Sequence, residues 1–154
     1  MSSQNNFTAE AAMLIRKPID EVFEAFINPE ITTHFWFTKS TGKLEEGKEI
    51  IWTWEMYNHS TALTVKSIVP NETILIEWAN SKEKASVEWN FKSLGNSKTF
   101  VSVLNSGFKG NTEEIVTEVR NSTEGFTLVL AGLKAYLEHG IELNLVGDRF
   151  PQGL

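Results

Sequence analysis

An α+β domain, in which a curled antiparallel sheet of about six strands wraps one long C-terminal helix, is the fold this sequence predicts. Three observations predict it. From Lys48 to Ser106 apolar and polar residues alternate with the period of a strand, broken by short turns. From Asn111 to Gly140 apolar residues recur at helical spacing instead. Two short helix signals, each carrying a proline, separate a first strand from the alternating region.

The first strand is read over Phe7 to Ile15. Pro18 follows; it restricts its predecessor to extended backbone and suits a first helical position. Asp20 and Glu21 then favour the start of a helix through its dipole, with Val22, Phe23 and Phe26 as the apolar side. Asn28-Pro29-Glu30 restarts a second short helix, Asn28 capping it. Four strands follow the aromatic run His34-Phe35-Trp36-Phe37: Lys48 to Met56, Thr61 to Val69, Ile74 to Ala79 and Ala85 to Lys92. Their turns fall at Tyr57-Asn58-His59, Pro70-Asn71 and Asn80-Ser81. A last strand runs from Lys98 to Ser106, where Phe100, Val101, Val103 and Leu104 leave the inward parity open. Asn111 with Glu114 reads as a capping box for the long helix, and Gly140 as its terminating residue. Whether Gly125 breaks that helix the pattern leaves open.

At 154 residues without an internal repeat or linker, the chain suits one domain, residues 1–154, with a core over about 7–150. Fourteen basic residues against twenty acidic ones give a net charge of −6, and the lysines are scattered, which argues against nucleic acid as a partner. The chain has no cysteine, so thiolate metal sites and cysteine nucleophiles are excluded. No apolar run approaches the roughly 20 residues of a membrane span. Met1 to Asn6 lacks the layout of a signal peptide, so a cytoplasmic location is expected and the sequons at Asn58, Asn71 and Asn121 go unread.

In strand, helix and turn order the sequence resembles the SRPBCC superfamily, the START-like or birch-pollen-allergen-like helix-grip proteins. Within it, it most resembles the group related to the C-terminal domain of the activator of the heat-shock chaperone ATPase. The likeness is carried by Ile15 to Phe26, Asn28-Pro29-Glu30, Trp36, Ile68-Val69-Pro70, Leu75 to Trp78 and Asn105 to Phe108. It continues in Glu124-Gly125-Phe126, Leu130, Leu133-Lys134, Tyr136-Leu137-Glu138 and Gly140. Many relatives carry Gly-Trp where this chain has Gly125-Phe126. The resemblance implies a helix-grip fold with a cavity between sheet and helix. Chaperone activators carry a further domain before this one, for which this chain has no room, so the resemblance counts less for chaperone activation.

The strand alternation brings Trp52, Trp54, Trp78 and Trp89 to the dry face. These indoles either fill a core or wall a cavity. On the cavity reading, they and Trp36 are candidate walls for a small hydrophobic ligand, with Phe126, Leu130 and Leu133 as the helix side. The run His34 to Phe37 is either an entrance or a plug. His34, His59 and His139 share no metal-ligand spacing, and no metal or other cofactor is expected. Glu55, Glu77 and Glu88 fall on the wet parity, Glu113, Glu114, Glu118 and Glu138 avoid the helix's apolar stripe, and Asp148-Arg149 reads as a solvated tail or a cap for the cavity. No catalytic constellation is visible. The leading expectation is therefore a ligand-binding protein. The alternatives are a polyketide cyclase or aromatase-like enzyme using the same cavity, and a chaperone-partner module.

Overall fold

The computed structural model describes residues 7–79 and 84–153. The turn read at Asn80-Ser81 and the segment Met1 to Asn6 lie outside the described residues. The order is β1 (Ala9–Ile15), α1 (Ile19–Ile27), α2 (Pro29–Thr32), β2 (Lys39–Ser40), β3 (Glu49–Trp54), β4 (His59–Val69), β5 (Thr73–Ala79), β6 (Lys84–Ser93), β7 (Thr99–Ser106), α3 (Thr112–His139) and α4 (Leu145–Asp148). Seven strands form one antiparallel sheet in the order β1-β7-β6-β5-β4-β3-β2. Consecutive strands from β2 to β7 are thus neighbours, and β1 pairs with β7 after the two short helices.

β2 adds a strand that alternation did not reveal, since two residues are too short to show a period. Pro18 sits as the residue before α1, with extended ψ of 151°, rather than inside its first turn. Asn28 does cap α2, its side chain accepting from Glu30 N at 3.0 Å. In β7 the inward side carries Thr99, Val101, Val103 and Asn105, while Phe100 points out and is exposed. A register shift between Val65 and Ser67 interrupts the β4–β5 ladder.

One inner face results. Ile50, Trp52, Trp54, Leu63, Val65, Ile74, Ile76, Val87, Trp89 and Phe91 are buried on it, together with Val22, Phe23 and Phe26 of α1 and Phe126, Val129, Leu130 and Leu133 of α3. The capping box at Asn111 and Glu114 is formed, and α3 runs unbroken through Gly125 to Gly140, whose φ of +66° is a left-handed value suited to glycine. Its 28 residues span about 42 Å. At Gly132 the helix meets Phe35, so close that an added Cβ would lie 3.2 Å from that residue's own Cβ. That approach locks α3 against the aromatic run after α2.

Gly125, by contrast, faces open space, and a Cβ there would meet nothing within 4 Å. Gly125→Ala is accordingly expected to raise unfolding stability by about 0.5–1 kcal/mol, since alanine restricts the unfolded chain and favours helix. A shift of the urea midpoint to higher concentration checks it.

The last turns of α3 are tied to the end of β1. Lys134 Nζ donates to Leu14 O at 2.8 Å and to Glu138 Oε2 at 2.7 Å, and Arg16 N donates to that same carboxylate oxygen at 2.7 Å. Glu138 was read as clear of the apolar stripe, yet its side chain is only 9% exposed, clasped at the seam between helix and sheet. Burial pushes its pKa up, but the Lys134 and Arg16 hydrogen bonds and the charges of Lys134 and His139 outweigh that and hold it below the usual carboxylate value. A depressed folded pKa stabilises above the unfolded value and is lost as pH falls through the folded one. The stability gap between wild type and Glu138→Gln is therefore expected to be full at neutral pH and to narrow below about pH 4.3. Urea titrations across pH 7 to 3 read it directly.

A candidate ligand cavity between sheet and helix

Between the inner face and the middle of α3 lies a cavity of about 450 Å³. Its deep walls are aromatic. Trp54 enters from β3, Trp78 from β5, Trp36 from the segment after α2, Phe126 and Val129 from α3, and Phe108 from the loop after β7. Trp78 stacks on Phe126 with centroids 5.9 Å apart and an interplanar angle of 24°. Trp36 meets Phe126 edge-on at 5.8 Å, Trp78 at 6.2 Å and Trp54 at 6.2 Å. Such offset and edge contacts suit the quadrupoles of the rings and hold each one in place.

Four of the eight residues singled out from the sequence are brought together on this lining: Trp36, Trp54, Trp78 and Phe126. The other four sit in the packed interior rather than on the lining. Trp52, 2% exposed, stacks on Phe37 at 4.6 Å and meets Trp36 at 4.8 Å. Trp89, 1% exposed, packs on Phe26 at 5.6 Å and backs Phe126 at 6.1 Å. Leu130 and Leu133 are buried in the same core. Strand parity assigns a face, but it does not say how deep along the strand the helix seals that face; hence the four indoles share a side and differ in role. The run after α2 divides likewise. Phe35 and Phe37 are buried plugs, and Trp36 alone of the run reaches the cavity. His34 stays outside, stacked on Tyr136 at 4.5 Å and 3.3 Å from Glu142.

Several lining residues escaped the sequence reading. β4 starts at His59, two residues earlier than alternation indicated, because Asn58 adopts a left-handed φ of +49° and turns the chain at once. Pairing with Trp54 and Trp52 then puts His59 and Thr61 on the inner side, so one titratable group from the meander does line the cavity. Asn105 arrives on the inward parity of β7 that had been left open. Glu118, Asn121, Ser122 and Glu124 come from α3, whose face toward the cavity is polar before Phe126 and apolar after it, at Leu128 and Val129.

The tail is no solvated appendage. After Gly140 the chain folds back over the cavity mouth, where α4 and the residues after it are fastened. The Tyr57 hydroxyl donates to the Val146 carbonyl and lies 3.1 Å from that of Gly147, while Phe150 N donates back to it at 3.3 Å. Arg149 Nε donates to Glu124 Oε1 at 2.6 Å, and its guanidinium lies 4.3 Å from the centre of the Phe150 ring. Tyr57, Glu124, Arg149 and Phe150 thus form the rim. Among the described residues no three His, Asp or Glu gather to hold a metal ion, and no helix is long and apolar enough to cross a membrane.

A sheet that grips a long helix over such a cavity defines a helix-grip protein of the SRPBCC type. Residues 16–138 match the family described as activator of Hsp90 ATPase homolog 1-like protein, and the chain belongs to that family. It is similar to the protein SSP2350 from Staphylococcus saprophyticus, at 27% identity and a TM-score of 0.77 over 89% of this chain and 96% of that one. In fold it is similar to the Aha1 dimer from Colwellia psychrerythraea, at 17% identity and a TM-score of 0.74 over 87% and 98%. The fold is likewise that of the di-domain ARO/CYC BexL from the BE-7585A biosynthetic pathway, at 16% identity and a TM-score of 0.72 over 86% of this chain and 46% of that one. No curated protein matches the chain.

Proposed function

We propose that the protein binds a small, largely apolar or aromatic molecule in the cavity between its sheet and α3. The observation that carries this reading is the cavity itself: about 450 Å³, walled by Trp36, Trp54, Trp78 and Phe126. Volumes of roughly 300–1,000 Å³ with apolar walls and a few polar groups are typical of small-molecule sites. Affinity would come from burying ligand surface at about 25 cal/mol per Å², less the costs of association.

The same cavity could serve an enzyme of the cyclase or aromatase kind, a reading suggested by the fold shared with the di-domain ARO/CYC BexL. That reading draws on His59, Glu118, Glu124 and Arg149 on the lining. Arg149 and Glu124 are engaged with each other, however, and the ring-lined depth is neutral, which favours holding a molecule over converting one.

Addition of N-phenyl-1-naphthylamine, an uncharged dye bright only in apolar surroundings, tests the proposal. Saturable enhancement at one dye per chain is the expected result. Fluorescence that rises without saturating, or only as the protein unfolds, would refute it.

A further inference from the structure

We infer that the cavity selects an aromatic ligand bearing a hydroxyl group, an inference that rests on the binding function proposed above and sharpens it. It follows from two polar residues set among the rings. Asn105 is 3% exposed and lines the cavity from β7; Ser122 lines it from α3. Asn105 Nδ2 donates to the backbone carbonyl of Ser86 at 2.8 Å. A carbonyl oxygen only accepts, so this bond fixes which end of the amide is nitrogen. Asn105 Oδ1 consequently faces Ser122, whose Oγ lies 2.8 Å away.

An amide oxygen also only accepts, so the Ser122 hydroxyl must spend its single hydrogen on Asn105. What Ser122 retains for a ligand is its lone pairs, an acceptor and not a donor. The Asn105 amide nitrogen retains one hydrogen beyond the bond to Ser86. The pair therefore complements a group that donates one hydrogen bond and accepts another, which describes a hydroxyl. An ether accepts but cannot donate. A plain hydrocarbon does neither, and leaves the second Asn105 N–H and the Ser122 lone pairs without a ligand partner while the bonds to Ser86 and between the two residues remain.

Equilibrium dialysis of the whole chain against 2-naphthol, 2-methoxynaphthalene and naphthalene separates these cases. Hydrophobicity alone ranks the methyl ether above the naphthol. The Asn105–Ser122 pair predicts the reverse, with 2-naphthol bound about tenfold more tightly, the scale of one well-placed hydrogen bond. Ser122→Thr keeps the hydroxyl and should keep the preference. Ser122→Val has the same shape as the threonine variant without its hydroxyl and should lose the preference for the naphthol over its methyl ether. Wild-type protein that binds naphthalene yet favours the ether overturns this inference and spares the binding function. A hydroxyl preference that survives in Ser122→Val overturns it too. Failure of all three compounds to bind removes the inference and the function beneath it together, and the wild-type comparison decides the matter even where the valine variant does not fold.

Discussion

Trp52→Ala is expected to lower the free energy of unfolding by about 3–5 kcal/mol, a large part of the roughly 5–15 kcal/mol a domain of this kind possesses. The indole is almost wholly buried, with Phe37 stacked on it, Trp36 tilted against it at 4.8 Å and Trp78 edge-on at 6.2 Å. Alanine there would leave a void that α2 and β3 cannot close, because Phe37 and Trp36 are themselves fixed by their other ring contacts. Urea denaturation followed by far-ultraviolet circular dichroism measures the loss. A cost below about 1 kcal/mol would mean that the interior behind the cavity is not packed as described.

Trp78→Ala should behave in the opposite way. Trp78 is only partly buried, because one side of its ring borders the cavity while the other contacts Trp36, Trp52 and Phe126. Truncating it removes wall more than core. The expected result is a smaller stability loss than for Trp52→Ala and a roughly ten- to hundredfold weaker affinity for N-phenyl-1-naphthylamine, equivalent to about 1.4–2.8 kcal/mol. Dye titrations on the folded variant read the affinity, and the same urea series shows that the variant remains folded. The two substitutions thus divide four indoles that strand parity alone makes equivalent.

That division marks how far the sequence could be read. Alternation of Trp52, Trp54, Trp78 and Trp89 against polar partners was enough to place all four on the inner face, because the side-chain period of a strand is two and one face is wet. Helical spacing through Phe126, Leu130 and Leu133 likewise identified the side of α3 that meets the sheet. Depth was not legible. Whether a ring is core or wall depends on where along each strand the helix crosses, and that is a tertiary fact about Gly132 touching Phe35 at one end and Gly125 standing clear at the other.

The rim was harder still. Tyr57 sits in a turn, and Val146 to Phe150 lie about ninety residues on; nothing local in either segment announces that a phenol will pin a tail. Arg149 with Glu124 belongs to the same class of long-range pair. Asn105 is different. Its inward parity followed from β7 once Val101 and Val103 were known to face in, and of the two polar residues on that side, Thr99 and Asn105, it is Asn105 that reaches the cavity.

An indole-resolved nitrogen–proton spectrum of the protein, titrated with 2-naphthol, tests the central claim most directly. Five tryptophans give five Nε1–H signals. Those of Trp36, Trp54 and Trp78 should shift with the ligand and saturate together, while those of Trp52 and Trp89 stay in place. Shifts concentrated on Trp52 and Trp89, or uniform across all five, would contradict the division of these rings into cavity wall and sealed core.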